Sequence, residues 1–323
     1  MAAQDPPHLI MAPLRGLTDK VFRDTFNRHF KEINEAVTPF VASLSGNRRR
    51  IKPAYLKDLI PESGPRWPVV PQILSNNADD FIFMAKVFTD LGYTEINWNL
   101  GCPYPMVAKK KRGSGLLPFP DRVDQMLDEI HQGFSGKISV KIRLGYHAAT
   151  EADALIPIFN QYPLARIIIH PRTGVQMYTG TVDLDAASRI LPGFVHPVVY
   201  NGDITTAEIF HSLSNRFPTL SQWMIGRGLL SDPFLGETIQ SGVAPSAAMR
   251  RKRFSAFHDD LVEGYTARFL GPGHVLDRMK GLWGYFSAMF QDKEKILKKV
   301  RKSKSLEDYA EKIKALMDAA KWA

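Results

Sequence analysis

Short apolar runs alternate with longer stretches of helical periodicity through residues 8–240. The runs His8–Ala12, Ala36–Val41, Pro68–Ile73, Glu95–Asn99, Lys137–Ile142, Arg166–Ile169, Pro197–Tyr200 and Gln222–Ile225 read as buried strands. Between them, Asp19–Phe30, Ala78–Leu91, Asp121–Gly133, Glu151–Gln161 and Thr205–Leu213 read as helices. Thr18-Asp19 and Asn77-Ala78-Asp79-Asp80 carry the capping groups and first-turn acids of helix starts. Eight strand-then-helix units predict an α/β fold, a parallel (β/α)8 TIM barrel. An open doubly wound sheet is the rival, and eight successive strands favour closure.

Past Pro245 the strand signal stops. Ala248–Phe269, Gly273–Met289 and Ser305–Lys321 predict three helices, the last opened by Ser305 with Glu307 and Asp308 in its first turn. Leu306, Tyr309, Ile313, Leu316 and Met317 give that helix one apolar face. The expected organisation is a barrel over residues 1–244 and a C-terminal all-helical domain over 245–323.

Charge sharpens this division. The chain has 42 Lys and Arg against 33 Asp and Glu, a formal net charge of +9. Residues 245–323 hold 17 of those cations against 10 acids, so +7 of the excess lies in the last quarter. That asymmetry points to a polyanion partner, nucleic acid before membrane. Between Asp292 and Ser305 stand seven cations and one acid. They read either as a solvated helix face or as a stripe that contacts phosphate. No apolar run approaches the ~20 residues of a membrane span. Met1 to Pro7 lacks the basic-then-apolar order of a signal peptide, so a cytoplasmic, soluble monomer is the expectation.

The chain contains a single cysteine, Cys102, in Asn99-Leu100-Gly101-Cys102-Pro103 just after a predicted strand. One thiol makes neither an internal disulfide nor a cysteine-based metal site. It is a reactive group or a small buried hydrophobe, and both readings stay open at this point. In a (β/α)8 barrel the chemistry gathers where the strands end. Those positions bring Pro13-Leu14-Arg15, Gln72, Asn99 with Cys102, Lys141 with Arg143, His170 with Arg172, Asn201-Gly202-Asp203 and Gly226-Arg227-Gly228. The last two clusters sit where such barrels bind phosphate. A buried Lys141 needs an anionic or electron-rich partner, or it turns to water. No acid pair, no metal-ligand set and no Gly-x-Gly-x-x-Gly after a strand is present, so no metal is expected.

These residues, in order and spacing, resemble the tRNA-dihydrouridine synthases, flavin enzymes that reduce uracil in transfer RNA. The matching segments are Met11 to Asp19, Asn99 to Pro103, Val140 to Arg143, His170 to Thr173 with Gln176, Tyr178 and Gly180, Asn201 to Ile204, and Gly226 to Gly228. Arg278-Met279-Lys280 with Trp283 and Tyr285 is similar to the family's helical domain. The resemblance implies FMN as cofactor, NADPH or NADH as reductant and tRNA as partner. It assigns Pro13, Leu14, Arg15, Gln72, Lys141, His170, Asn201, Gly202, Asp203, Gly226 and Arg227 to FMN. It implies Cys102 as the proton donor, with Asn99, Arg143, Arg172, Arg278 and Lys280 near the RNA. Hydride would pass from flavin N5 to uracil C6, and the proton from Cys102 to C5. Tyr104 and Tyr200 depart from the pattern, standing where the family has small residues. Lys109 to Gly115 forms a basic loop, expected to cover the site and grip phosphate, or else a solvated charge run. Two other functions stay open: an FMN reductase of a free pyrimidine or small enone, and an inactive RNA-binding scaffold.

Overall fold

The computed structural model describes residues 6–43, 51, 53–60 and 67–322. Residues 1–5, part of the expected polar N-terminal segment, and Ala323 lie outside them. Ten strands form one parallel sheet: β1 (His8–Met11), β2 (Glu35–Val37), β3 (Val41–Ala42), β4 (Val69–Val70), β5 (Gln72–Leu74), β6 (Glu95–Leu100), β7 (Lys137–Gly145), β8 (Leu164–Thr173), β9 (Val198–Asn201) and β10 (Gln222–Ile225). They occupy eight barrel positions, because β2 with β3, and β4 with β5, are interrupted halves of single strands.

The interruptions have a cause. Pro39 and Pro71 fall at the breaks, and neither has an N–H to give to a ladder. Pairing resumes on each side, Val37 opposite Val70 and Val41 opposite Ile73. The sheet closes through those halves, since β10 pairs with β1 and β1 with β2. The result is a (β/α)8 barrel.

Period-two alternation positions the site. On β6, Ile96, Trp98 and Leu100 join the large core that includes the surrounding helices. Glu95, Asn97 and Asn99 take the opposite face. On β8, Ile167 and Ile169 join that core, while Ile168 belongs to a second cluster with Ile10, Val37, Val70, Val199 and Met224. That cluster fills the barrel interior. Beneath it Arg166 closes the barrel floor, pairing with Glu35 and donating to Glu95 from Nε (3.0 Å) and Nη2 (3.1 Å). The opposite end carries the polar groups described below.

Helices begin where capping side chains predict. Asp19, Asn77, Thr206 and Ser305 each accept a first-turn backbone N–H. Among the described residues beyond 245 there are four α-helices, Ala247–Arg268, Pro272–Phe286, Lys293–Arg301 and Leu306–Ala319, where three helices were expected. The additional one is the lysine run itself. Ile296 and Val300 fall four apart and are buried, which gives the cationic segment an apolar edge to pack by. The core continues without a gap from barrel to C-terminal helices. The Phe257 ring meets Phe22, Phe26 and Phe30 edge-on, with centroids 5.9, 6.0 and 5.1 Å away. No described helix is long and apolar enough to cross a membrane.

Candidate active site

The strand ends open into a cavity of about 330 Å³. The loop after β1 contributes Pro13, Leu14 and Arg15, β5 contributes Gln72, and β6 with its following turn contributes Asn99 and Cys102. Lys141 and Arg143 enter from β7 and His170 from β8. Asn201, Gly202 and Asp203 follow from β9, with Gly226 and Arg227 after β10.

A buried amide chain anchors the cysteine turn. Asn97 donates to Ser139 Oγ (2.9 Å), Gln72 to Asn97 Oδ1 (2.7 Å) and Asn99 to Gln72 Oε1 (2.6 Å). Asn99 Oδ1 then accepts the backbone N–H groups of Gly101 (3.1 Å) and Cys102 (2.9 Å). Each bond fixes which way the next amide faces, so the network holds Cys102 in place.

The Cys102 side chain is buried, the residue only 7% exposed. Burial pushes its pKa above the ordinary 9.0, outweighing the Tyr104 backbone N–H and the Arg143 and Arg15 guanidiniums, which pull it down. The thiol is therefore protonated at neutral pH, an acid rather than a thiolate nucleophile.

Gly113, at φ +56°, packs directly on this turn. A Cβ there would lie 2.7 Å from Cys102 O and 2.9 Å from Cys102 Cβ. Gly113→Ala should cost about 1–3 kcal/mol in strain and speed alkylation of Cys102. Thermal melts and iodoacetamide kinetics check this, and an unchanged variant would show that the turn relaxes freely.

Positive charge accumulates beside this turn, on the adjacent strand β7 and on β8 next to it. Arg143 is 1% exposed and has no carboxylate partner among the described residues. Its guanidinium donates to the carbonyls of Gly101 (3.0 Å), Thr173 (2.7 Å) and Met177 (2.6 Å), tying the cysteine turn to the loop after β8. Arg172 donates to both Asp203 oxygens, at 3.0 and 2.5 Å, and Arg227 to Oδ1 at 2.9 Å. Asp203, at φ +46°, thus bridges two cations.

The pKa of His170 lies well below its ordinary value, first because it is buried and then because Lys141, Arg143, Arg172 and Arg227 surround it. Arg172 Nη1 is 3.1 Å from His170 Nε2. A guanidinium only donates, so Nε2 is the acceptor and the proton sits on Nδ1. His170 is a neutral donor at the cavity wall.

Lys141 makes no hydrogen bond or ion pair among the described residues, and burial followed by Arg143 lowers its pKa to about 7. The sign of the resulting pH dependence follows. Below about pH 7 the folded chain carries the ammonium at full cost. Between about 7 and 10.5 only the unfolded chain holds that proton, so stability rises with pH. Lys141→Met removes the cost. Its melting temperature should exceed that of the parent protein most in mild acid, and the gap should close as alkaline pH is approached. A gap independent of pH would contradict the assignment.

Several expected contacts lie elsewhere. Arg172 does not line the cavity; it is 1% exposed and held by Asp203 and Gly180 O. Arg278 pairs with Asp19 (3.0 Å) and donates to Gly16 O, bracing the loop after β1 from the helical region. Lys280 donates to Ser303 O (2.6 Å). No residue of Lys109–Gly115 lines the cavity, so the loop does not cover it. Instead it is pinned from outside, with Asn76 donating to Lys110 O (3.0 Å) and Arg112 Nε to Asn76 Oδ1 (3.0 Å).

A family model described as Dihydrouridine synthase (Dus) matches residues 10–321. The chain belongs to the dihydrouridine synthase family. Among curated relatives, a probable tRNA-dihydrouridine synthase of Rhodobacter capsulatus is 28% identical over 264 residues, spanning 81% of this chain and 80% of its own length. One from Staphylococcus epidermidis is 30% identical over 242 residues, 72% of this chain and 71% of its own. The tRNA-dihydrouridine synthase B of Pasteurella multocida is 27% identical over 234 residues, 72% and 69%. Among solved structures, a morphinone reductase variant in complex with tetrahydroNAD superimposes with a TM-score of 0.51 at 9% identity, over 75% of this chain and 90% of its own. That likeness concerns the fold alone.

For a dihydrouridine synthase family member, the aromatic residues of the site are the part sequence reasoning left without a role. Phe40, Tyr104, Tyr178 and Tyr285 all line the cavity. Tyr178 lies between Arg143 and Arg227, 5.2 and 5.6 Å from its ring centre. Tyr285 comes from the helix Pro272–Phe286, so the C-terminal helices form part of the wall. The signal for Tyr178 and Tyr285 was their place in the matching segments.

Proposed function

We propose that this protein reduces uridines of transfer RNA to 5,6-dihydrouridine, with FMN as its flavin and NADPH or NADH as reductant. The observation that carries the reading is Cys102, a protonated thiol at a cavity that also takes in Lys141 from the adjacent strand β7, a buried amine with no hydrogen-bond or ion-pair partner among the described residues. That cavity fits a flavin. Lys141 needs an electron-rich edge, the neutral His170 has a donor to give, and Arg227 is aimed where strand ends bind phosphate. Pro13, Leu14, Arg15, Gln72, Asn201, Gly202 and Gly226 would complete the holding set, with Asp203 acting through the two arginines it bridges. When bound, such a flavin supplies two electrons and a hydrogen to C6 of the target uracil.

The chain's own part is protonic and electrostatic. Cys102 gives its proton to C5 as negative charge builds on the uracil. The thiolate left behind is received by the Tyr104 N–H and by Arg143 and Arg15, the groups already directed at it. Lys141 favours negative charge on whatever ring it faces. The target base has to leave its stack to reach the cavity. Residues 245–323 are the proposed RNA platform, set on a barrel of residues 1–244 that holds the cofactor. Lys293, Lys295, Lys298, Lys299, Arg301, Lys302 and Lys304 are all exposed along one helix and its exit, which favours the phosphate-contacting reading of that run. Incubating flavin-loaded protein with unmodified tRNA and NADPH, then digesting the RNA for mass analysis, tests the reading. Dihydrouridine is expected, and its absence with every tRNA would overturn it.

A further inference from the structure

Tyr104 is built as if to receive something. It is 46% exposed yet lines the cavity, two residues beyond the thiol. Pro103 and Pro105 flank it, and its carbonyl accepts the N–H groups of Val107 (2.8 Å) and Ala108 (2.9 Å). The backbone is therefore locked on both sides. Its ring has no aromatic or cationic neighbour in stacking range, and its hydroxyl no hydrogen bond, among the described residues. The phenol of Tyr178, also on the cavity wall, is near enough to interact with it electrostatically. A large aromatic on a fixed backbone, with no ring partner among the described residues and only two side-chain torsions to order, contributes little to the fold. It does lower the entropy cost of binding a flat ligand.

We propose that Tyr104 is a stacking platform for the nucleobase next to the target uridine. The inference rests on the tRNA-reduction reading above. Extruding a uracil from its stack uncovers the faces of its neighbours. An aromatic ring at the rim, beside the point where the extruded base enters, replaces the lost stack. Met106, Lys109 and Lys110 are exposed on the same short segment, with Lys110 O held by Asn76. An aromatic ring beside backbone-tracking cations is how unpaired nucleic acid is gripped without sequence readout.

The test uses the flavin-loaded full chain and a tRNA whose reduced uridine has been mapped. Rates are taken per bound flavin. Tyr104→Ala should raise the KM and Kd for that tRNA about 10- to 100-fold, the scale of one lost base–aromatic stack, with a smaller change in kcat. Tyr104→Phe should restore both to within about threefold, because stacking needs the ring and not the hydroxyl. In parallel, 2-aminopurine is placed on each side of the target uridine. Its fluorescence should be quenched on one side by the parent protein and by Tyr104→Phe, and released by Tyr104→Ala. Parent protein that reduces tRNA, together with an alanine variant of equal KM and equal quenching, would overturn the platform alone. Parent protein that reduces no tRNA would overturn the function reading and the platform with it.

Discussion

Cys102→Ala should lower the rate of dihydrouridine formation by about 10²- to 10⁴-fold, the usual worth of a positioned general acid. The loss should appear in a single turnover, with the flavin already reduced and the tRNA saturating, so that binding and reductant drop out. Cys102→Ser should fail nearly as badly, because a hydroxyl is a far weaker acid than a thiol. The pH dependence carries the sign of the assignment. Burial holds the thiol above its ordinary 9.0, so the proton is present throughout the neutral range. The proton-transfer step should hold through neutral pH and fall as alkaline pH ionises the thiol, measured also in a Lys141→Met background, which removes the separate titration of Lys141 near pH 7. A rate that rose through the same range would mark Cys102 as a thiolate, and near-normal turnover in the alanine variant would remove it from the chemistry.

Asp203→Asn should be the costliest single change in charge at the site. Asp203 is the carboxylate partner of Arg172, whose guanidinium is 1% exposed, and it also holds Arg227. Removing one partner of such a pair leaves a buried cation uncompensated, about 3 kcal/mol where the carboxylate is partly solvated. Asparagine keeps the shape and tolerates the left-handed backbone at φ +46°, so the loss isolates charge from strain. Two readouts should move together: a lower thermal midpoint of the flavin-free protein, and weaker FMN binding as Arg227 loses its anchor. An unaltered midpoint would show that Arg172 is satisfied by the Gly180 and Thr179 carbonyls alone.

The barrel was legible because short apolar runs recur between stretches of helical periodicity, eight times over, and β6 and β7 also alternate polar with apolar residues. Glu95-Ile96-Asn97-Trp98-Asn99-Leu100 places polar residues at every second position, and the structure sends those to one face. Reading strand ends alone found Asn99 and missed Asn97 and Ser139, which sit two and four residues back from Asn99 and Arg143 and complete the network under Cys102. The breaks at Pro39 and Pro71 were visible as prolines, but the resumption of pairing beyond each depends on partners far away in the chain. The run between Asp292 and Ser305 was readable as a helix face, but its packing was not, since Ile296 and Val300 become informative only with a core to meet them. Arg172, Arg278 and Lys280 show the limit most plainly. A cation's residue type is written in the chain, but whether it faces RNA or an internal carbonyl is decided by packing. Tyr104 stood out as a departure from the family pattern, and its role depends on the absence of neighbours, which a sequence does not record.

Dihydrouridine formation in tRNA by way of Cys102 is the proposal on which the rest depends. Position-by-position mapping of dihydrouridine in tRNA from cells lacking the protein, re-supplied with either the parent protein or Cys102→Ala, tests it most directly. At least one position should be lost without the protein, regained with the parent and not regained with the alanine variant. A map that is unchanged by loss of the protein, or restored by Cys102→Ala, would contradict it.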